Sequence, residues 1–471
     1  MSGPMSLEPG GTEQDTLALR LADPRPQRRR PRWALDDTTL TIRLPRTGPD
    51  EEAVSALAAE LADRIGPAVH PYEVAALLEA EGLSAEVIRG RYGHPNLFSL
   101  AAALYERVPR TFPEPAPAAD PWRPDTVRCL LRGVLFALPG LAYLLTAPLW
   151  HAEHHTHALI VAGLVSWAWG QALGHRAHLR MTTGRREAGR TLLAGAPVGA
   201  VVATALSALP AGSGAVTLVA FAQSLYLAAA GVLLVLARER LLLAALTPLV
   251  VGTAVLPWWE PGTVLRAGLP LLALLGTLAA AGWALRDTFA AAPVAGAARP
   301  RLLWSLPYGL FGLAAGLLVL LEGRLHPYAV IVLTVSMGPA EWLLYRYRGM
   351  SVAALRSTAT PAAFLLRSVG VLGGCLLVYL LPLLPAALLT GADPAALLPL
   401  AATLWTALLL QAFGAAWSSA GICLAAAAGA GAVTLLDLPP GPAVLPLCCG
   451  AAALCLAVCA LRLLGRPAPH A

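Results

Sequence analysis

From Cys129 to the C-terminus the sequence is a series of long apolar segments separated by short polar ones. Each apolar segment is about 20 residues long, the length that an α-helix needs to cross the hydrocarbon core of a bilayer. Within lipid only helices and closed barrels satisfy their own backbone hydrogen bonds, and these segments are too long for barrel strands. The sequence therefore predicts an all-α, multi-pass membrane protein of about twelve spans. The spans are centred near residues 138, 166, 200, 225, 248, 274, 312, 335, 375, 404, 426 and 452.

Arginines mark alternate junctions between the spans. Basic residues collect on the cytoplasmic side of membrane proteins, so the pattern predicts that the even-numbered junctions and both termini face the cytoplasm, with the protein in the cytoplasmic (inner) membrane. Because topology explains most of the net charge of +6, that charge does not indicate a nucleic-acid partner. The junction after span ten has no arginine. The arginines follow spans two (Arg176, Arg180, Arg185, Arg186, Arg190), four (Arg238, Arg240), six (Arg286, Arg299, Arg301), eight (Arg346, Arg348, Arg356) and twelve (Arg462, Arg466).

The polar N-terminal part predicts three further segments. Residues 1–49 are rich in proline, glycine and arginine and are expected to form a disordered tail. Residues 50–112 have helical periodicity and predict a small helical cytoplasmic domain. A proline-rich linker is expected over residues 113–126. A domain of about 60 residues is marginally stable alone, so we expect it to dock on the membrane part or to bind a cytoplasmic protein partner.

Within residues 50–112 the periodicity predicts four helices, over 51–65, 71–81, 84–91 and from Pro95 onward. Three short motifs follow one another along these helices: Gly82-Leu83-Ser84, Tyr92-Gly93 and Leu97-Phe98. Their order resembles the helix-turn-helix head of TetR-type regulators, which implies DNA binding. A DNA reader needs a basic face, whereas the third helix offers only Arg89 and Arg91 among acidic neighbours. Nucleic acid is therefore not an expected partner.

The two halves of the membrane part resemble each other. Residues 165–176 of span two match residues 335–346 of span eight at Val-Ser, Leu and Arg, and span one aligns with span seven at nearly the same offset. Each half has six spans, so both halves start on the same membrane side and the repeat is parallel. The predicted organisation is a first six-span bundle over 127–286, a cytoplasmic loop over 287–301, a second bundle over 302–465 and a tail over 466–471.

A parallel duplication of six spans is the plan of two large transporter classes. Residues 184–187 between spans two and three lack the Asp and the spacing of the major facilitator loop signature. The soluble N-terminal module and the proline-broken, alanine-rich helices resemble instead the multidrug/oligosaccharidyl-lipid/polysaccharide (MOP) flippases, in architecture over about 340 residues. The resemblance implies transport or flipping of an amphipathic or lipid-linked substrate, such as a saccharide carrier for polysaccharide export, by alternating access.

Glu341 is the first candidate for a functional residue, because a carboxylate within a span is costly and is a functional hypothesis by default. The alternative is a pairing with Arg346 or Arg348 near the membrane surface. Gln171 is the repeat mate of Glu341 and is expected to line the same cavity; the alternative is a helix–helix hydrogen bond. The candidates for the substrate cavity are Glu341, Gln171, Trp167, Trp169, Gln223 and Gln411.

A histidine cluster lies between spans one and two, and its spacing fits a metal site on one helical face. A histidine-rich surface loop without metal is the alternative. Walker A, HExxH and GxSxG signatures are missing from the sequence, so neither an enzyme nor a cofactor is expected. Two alternatives to transport stay open: a scaffold or assembly subunit for cell-envelope polymer synthesis, and a metal-dependent membrane-embedded enzyme. The clustered histidines are His151, His154, His155 and His157.

Overall fold

A computed structural model gives the fold of the chain. It forms two compact units, one containing the described residues 51–109 and the other the described residues from 123 onward. The predicted tail over 1–49 and most of the predicted linker lie outside the described residues. The structure describes residues 51–109, 123–149, 156–211, 214–292, 294, 300–358, 360–437, 439 and 441–466.

The N-terminal unit is a small helical domain. Leu100 and Leu104 of its last helix are completely buried, as are Val54 and Leu78. The last helix starts with a capping box in which the Asn96 side chain accepts a hydrogen bond from the Ser99 N–H at 2.9 Å. The region predicted as one helix over 51–65 is two helices. The five helices are α1 (Glu51–Glu60), α2 (Ala62–Ile65), α3 (Pro71–Ala80), α4 (Ala85–Arg91) and α5 (Leu97–Arg107).

Eleven of the twelve predicted span centres lie within helices of the membrane unit, and the first, residue 138, lies in a turn between two helices, which confirms the all-α, multi-pass class. Span one consists of two helices, because the chain leaves regular helix around Leu138 and Pro139. Each of the other spans is one helix. In chain order they are α6 (Thr126–Ala137) with α7 (Gly140–Thr146), α8 (Thr156–Thr183), α9 (Arg185–Ala211), α10 (Gly214–Val235), α11 (Glu239–Val255), α12 (Thr263–Phe289), α13 (Leu306–Leu325), α14 (Pro327–Ser357), α15 (Pro361–Thr390), α16 (Pro394–Ala412), α17 (Ala416–Leu435) and α18 (Val444–Leu464).

Ten of these segments in the described part of the chain are long and apolar enough to cross a membrane. Span two, α8, falls outside that set and carries polar residues such as Gln171 and His175 along its length. Span five, α11, also falls outside it and has only 17 residues. Both pack within the bundle, span two against spans three and seven and span five against span six.

The two halves meet through reciprocal helix pairs. Span one packs against span eight, and span two packs against span seven. Exchanging the halves converts one pair into the other, as a parallel repeat requires. At the first crossing the backbones touch at Gly133 and Gly338, where a Cβ on Gly133 would lie 2.6 Å from the Val335 carbonyl oxygen. Small residues permit such close approach between helices in a membrane.

Candidate functional site

Four charged side chains join three helices next to the crossing of spans one and eight. Arg132 of span one donates from Nη1 to Glu341 Oε1 at 2.5 Å and from Nε to Glu239 Oε1 at 2.9 Å. Arg128 donates from Nε to the same Glu239 oxygen at 2.8 Å. We call Arg128, Glu239, Arg132 and Glu341 the ion-pair chain. The side chains of Arg132, Glu239 and Glu341 are only 12%, 6% and 7% exposed, so most of this charge is removed from solvent.

The local sequence explains why the ion-pair chain forms there. Arg128 and Arg132 are four residues apart and therefore share one face of the helix. Gly133 allows span eight to come close enough for Glu341 to reach Arg132. Two positive and two negative charges balance, and a buried charge is tolerated only when it is paired in this way.

The pairing of Glu341 differs from the alternative considered from sequence. Its partner is Arg132, across the boundary between the halves, while Arg346 lies over the ring of Trp342 and Arg348 over the ring of Phe413. The alternative was a local pairing because the sequence shows only neighbours along one helix.

Sequence reasoning missed three members of the ion-pair chain. Arg128, Arg132 and Glu239 each lie near the end of a span, where a charge is normally in water and attracts no attention. The signal that would have singled out Arg128 and Arg132 is their i,i+4 spacing on a helix that also contains Gly133.

A cavity of about 320 Å³ lies between the halves. Spans one, two and four line it from the first half, and their repeat mates seven, eight and ten line it from the second. Leu242 of span five and Tyr379 of span nine complete the wall. We call this space the central cavity. One lining residue from each of the six paired spans is Phe136, Trp167, Tyr226, Phe311, Thr334 and Trp405.

The ion-pair chain borders one end of the central cavity. Ala340, the neighbour of Glu341, lines the cavity. Leu234 also lines it, and its carbonyl oxygen accepts a hydrogen bond from Arg132 Nη2 at 3.4 Å. This is the end at which the arginine-bearing junctions lie, and we call it the arginine-rich end. The charged groups thus lie between the cavity and that end of the bundle.

Further polar contacts join the halves at the arginine-rich end. His175 of span two stacks on Tyr308 of span seven with ring centroids 3.8 Å apart, and its Nδ1 lies 3.1 Å from Ser305 Oγ. Arg176 donates from Nη1 to the Pro300 carbonyl oxygen at 3.1 Å. At the contact of spans one and eight, Trp342 Nε1 donates to Thr126 Oγ1 at 3.1 Å. Several side chains besides the ion-pair chain therefore connect spans of the two halves at this end.

The structure brings some of the predicted cavity residues together and separates others. Gln171 and Trp167 line the central cavity, and Glu341 lies at its border. Trp169 does not line it, because this side chain faces span three and donates to the Gly195 carbonyl oxygen at 2.9 Å. Gln223 lines a different cavity, inside the first half.

The two remaining sets of candidates have other positions. Gln411 is buried near the end of span ten, where its backbone carbonyl oxygen accepts a hydrogen bond from Tyr308. Of the histidine cluster, His157 is exposed and the other three histidines lie outside the described residues. Among the residues that the structure describes, no group of three His, Cys, Asp or Glu side chains is placed to hold a metal ion.

The chain is distantly similar to a solved structure but not to a known family or a curated protein. No family model matches the chain, and no curated protein matches it. Among solved structures, the chain aligns with the outward-facing conformation of a multidrug resistance MATE family transporter of the MOP superfamily, at 13% identity and a TM-score of 0.39. The alignment covers 73% of this chain and 96% of that one. None of these comparisons supports the TetR-type resemblance of the N-terminal helices.

Proposed function

We propose that the protein transports an amphipathic or lipid-linked substrate across the cytoplasmic membrane by alternating access of its two six-helix halves. The observation that carries the proposal is the central cavity, which corresponding helices of both halves line. A cavity on the boundary between two repeats opens to one side or the other when the repeats rock against each other. We further propose that the arginine-rich end faces the cytoplasm.

The ion-pair chain supplies the closure at the arginine-rich end. Arg128, Arg132 and Glu239 belong to the first half, and only Glu341 belongs to the second. Rocking therefore breaks a single ion pair, between Arg132 and Glu341. Arg132 keeps Glu239 as a partner, and Glu341 gains water as the gap opens. Neither charge is left buried and unpaired, which would be expensive.

The lining of the central cavity supports an amphipathic substrate. Its wall is mainly apolar and aromatic, with Gln171 and Thr334 among its few polar side chains. Its volume of about 320 Å³ is at the lower end of the range for small-molecule sites, roughly 300 to 1,000 Å³. A strongly charged solute would lose its hydration here without compensation.

A flipping assay with the purified full-length protein in vesicles tests the proposal. The probes are fluorescently labelled phosphatidylglycerol and a labelled polyprenyl phosphate, whose transfer between leaflets is followed by chemical quenching from outside. We expect the protein to accelerate transfer of at least one probe. Thr334→Trp should reduce that rate at least tenfold, because the new side chain fills the central cavity.

Ile331→Trp is the matched control, since Ile331 lies on the same helix and is 54% exposed on the outside of the bundle. It should leave the transfer rate unchanged. Equal rates for the Thr334 and Ile331 variants would overturn the role of the central cavity. Failure of the wild-type protein to move either probe would favour the scaffold hypothesis, in which residues 50–112 recruit a cytoplasmic partner.

A further inference from the structure

A second cavity, in the first half, has no place in the proposed transport cycle. It has a volume of about 680 Å³, roughly twice that of the central cavity. Spans one, four, five and six line it, so it lies entirely within the first half. We call it the lateral cavity. Residues from each of these spans are Tyr143, Val219, Leu249 and Leu274.

The lateral cavity is partly open, and exposed residues of membrane-spanning helices line it. Tyr143 and Leu271, on its rim, are 44% and 55% exposed. Both belong to spans, where an exposed apolar side chain faces hydrocarbon. The opening lies beside α7, the short second helix of span one, which begins after the break at Pro139. A molecule can therefore enter this cavity from the bilayer without crossing water.

The lateral and central cavities adjoin. Pro139, Tyr226 and Leu227 line both of them, so these three residues form the wall or passage between the two spaces. The same break in span one thus borders the lateral opening, the lateral cavity and the passage to the central cavity.

The chemistry of the lateral cavity fits a hydrocarbon chain with one polar attachment point. Most of its wall is aliphatic or proline. Gln223 is an exception: its Nε2 donates to the Leu159 carbonyl oxygen at 3.3 Å, while its buried Oε1 has no hydrogen-bond partner among the described residues. An unsatisfied buried acceptor is costly and marks a position where a ligand group can donate a hydrogen bond.

We propose that the lateral cavity holds the hydrocarbon chain of the transported lipid while the polar end of the same molecule reaches the central cavity. This inference rests on the proposed function, and it narrows the substrate class to lipids. The substrate enters chain-first from the membrane through the rim at Tyr143 and Leu271.

Photo-crosslinking with a lipid probe tests this assignment without requiring transport. The full-length protein is reconstituted in vesicles that contain a phosphatidylglycerol with a diazirine in its acyl chain, irradiated, and digested for mass spectrometry. We expect labelling at Val219 and Leu274, which line the lateral cavity. Ala222→Phe should reduce labelling at Leu274 at least fivefold, since Ala222 also lines it.

One control variant and one replacement variant accompany this experiment. Leu218→Phe lies on the same helix at a side chain that is 69% exposed, and it should leave the labelling unchanged. Should Ala222→Phe fail to fold, Ala267→Phe obstructs the same cavity from span six.

Thr334→Trp decides whether one molecule occupies both cavities. It fills only the central cavity, and we expect it to reduce labelling at Leu274 at least twofold. Undiminished labelling in Thr334→Trp would overturn the proposal and assign the lateral cavity to an ordinary bilayer lipid. Labelling confined to exposed positions in the wild-type protein would also overturn it. Labelling as expected without any flipping would instead refute the proposed transport function.

Discussion

Span four of the first half and span ten of the second have corresponding places in the repeat, yet they pack differently. Span ten buries Trp405, Leu400 and Leu410 completely against its neighbours. Span four lines both cavities, and Tyr226 contributes to each. The difference starts in the first helix of each half: span seven runs unbroken from 306 to 325, whereas span one breaks at Pro139. A duplicated topology can thus combine one half whose span ten is closely packed with one that keeps internal space beside span four.

The largest expected effect comes from truncating the same kind of side chain in each half. Trp405→Ala should lower the free energy of unfolding by roughly 3 to 5 kcal/mol, because Trp405 is completely buried and its Nε1 donates to the Ala340 carbonyl oxygen at 3.2 Å. Tyr226→Ala should cost less than about 2 kcal/mol, since Tyr226 is only partly buried and borders both cavities, whereas Trp405 is completely buried and borders one. Unfolding in mixed detergent–SDS micelles measures both. Equal losses would show that the halves are packed alike.

The boundary between the halves gives the next largest effect. Arg132→Met should destabilise the protein by about 3 kcal/mol, because it leaves Glu341 buried without its partner. The same unfolding measurement on Arg132→Met combined with Glu341→Leu should recover most of this loss. Arg190→Met removes an ion pair with Glu187 in which the arginine side chain is 52% exposed, and it serves as the control, with an expected cost below about 1 kcal/mol. A double variant as unstable as Arg132→Met would refute the pairing.

Adding volume should have different effects in the two halves. Ala401→Leu, at a completely buried position of span ten, should cost roughly 1 to 3 kcal/mol through overpacking. Ala222→Leu should be neutral or stabilise by up to about 1 kcal/mol, because the added carbons enter the lateral cavity. Thermal unfolding of the two variants in the same detergent compares them directly. A destabilisation of similar size at both sites would mean that the lateral cavity has no room for the added carbons in the purified protein.

The smallest expected difference concerns hydrogen bonds between helices. Thr403 donates from its buried Oγ1 to the Cys449 carbonyl oxygen at 2.7 Å, so Thr403→Val should cost about 1 kcal/mol. Gln223→Leu should change stability by less than about 0.5 kcal/mol, because losing its bond to Leu159 is offset by removing the unsatisfied Oε1. Unfolding curves fitted with a common slope resolve the two values. A larger loss for Gln223→Leu would show that its oxygen is satisfied.

The sequence was sufficient for the helices and for the order of the spans, because hydropathy and arginine position act locally along the chain. It identified Gln171 and Trp167 as cavity residues through the repeat, and the structure places both in the wall of the central cavity. It did not predict the partner of Glu341, because Arg132 lies 209 residues away and only the crossing of spans one and eight brings them together. The lateral cavity was equally inaccessible, since a break at Pro139 does not reveal whether neighbouring side chains fill the space.

The division of the ion-pair chain between the halves has an electrostatic consequence. Two arginines and one glutamate remain on the first half, and one glutamate remains on the second. Halves that separate at this end therefore carry opposite unit charges toward each other across a water-filled gap. Their attraction fades over the Debye length, about 8 Å at physiological ionic strength and about 30 Å at 0.01 M salt. The ionic strength of the solution at the arginine-rich end would thus set the distance between the halves beyond which their electrostatic attraction no longer favours closure.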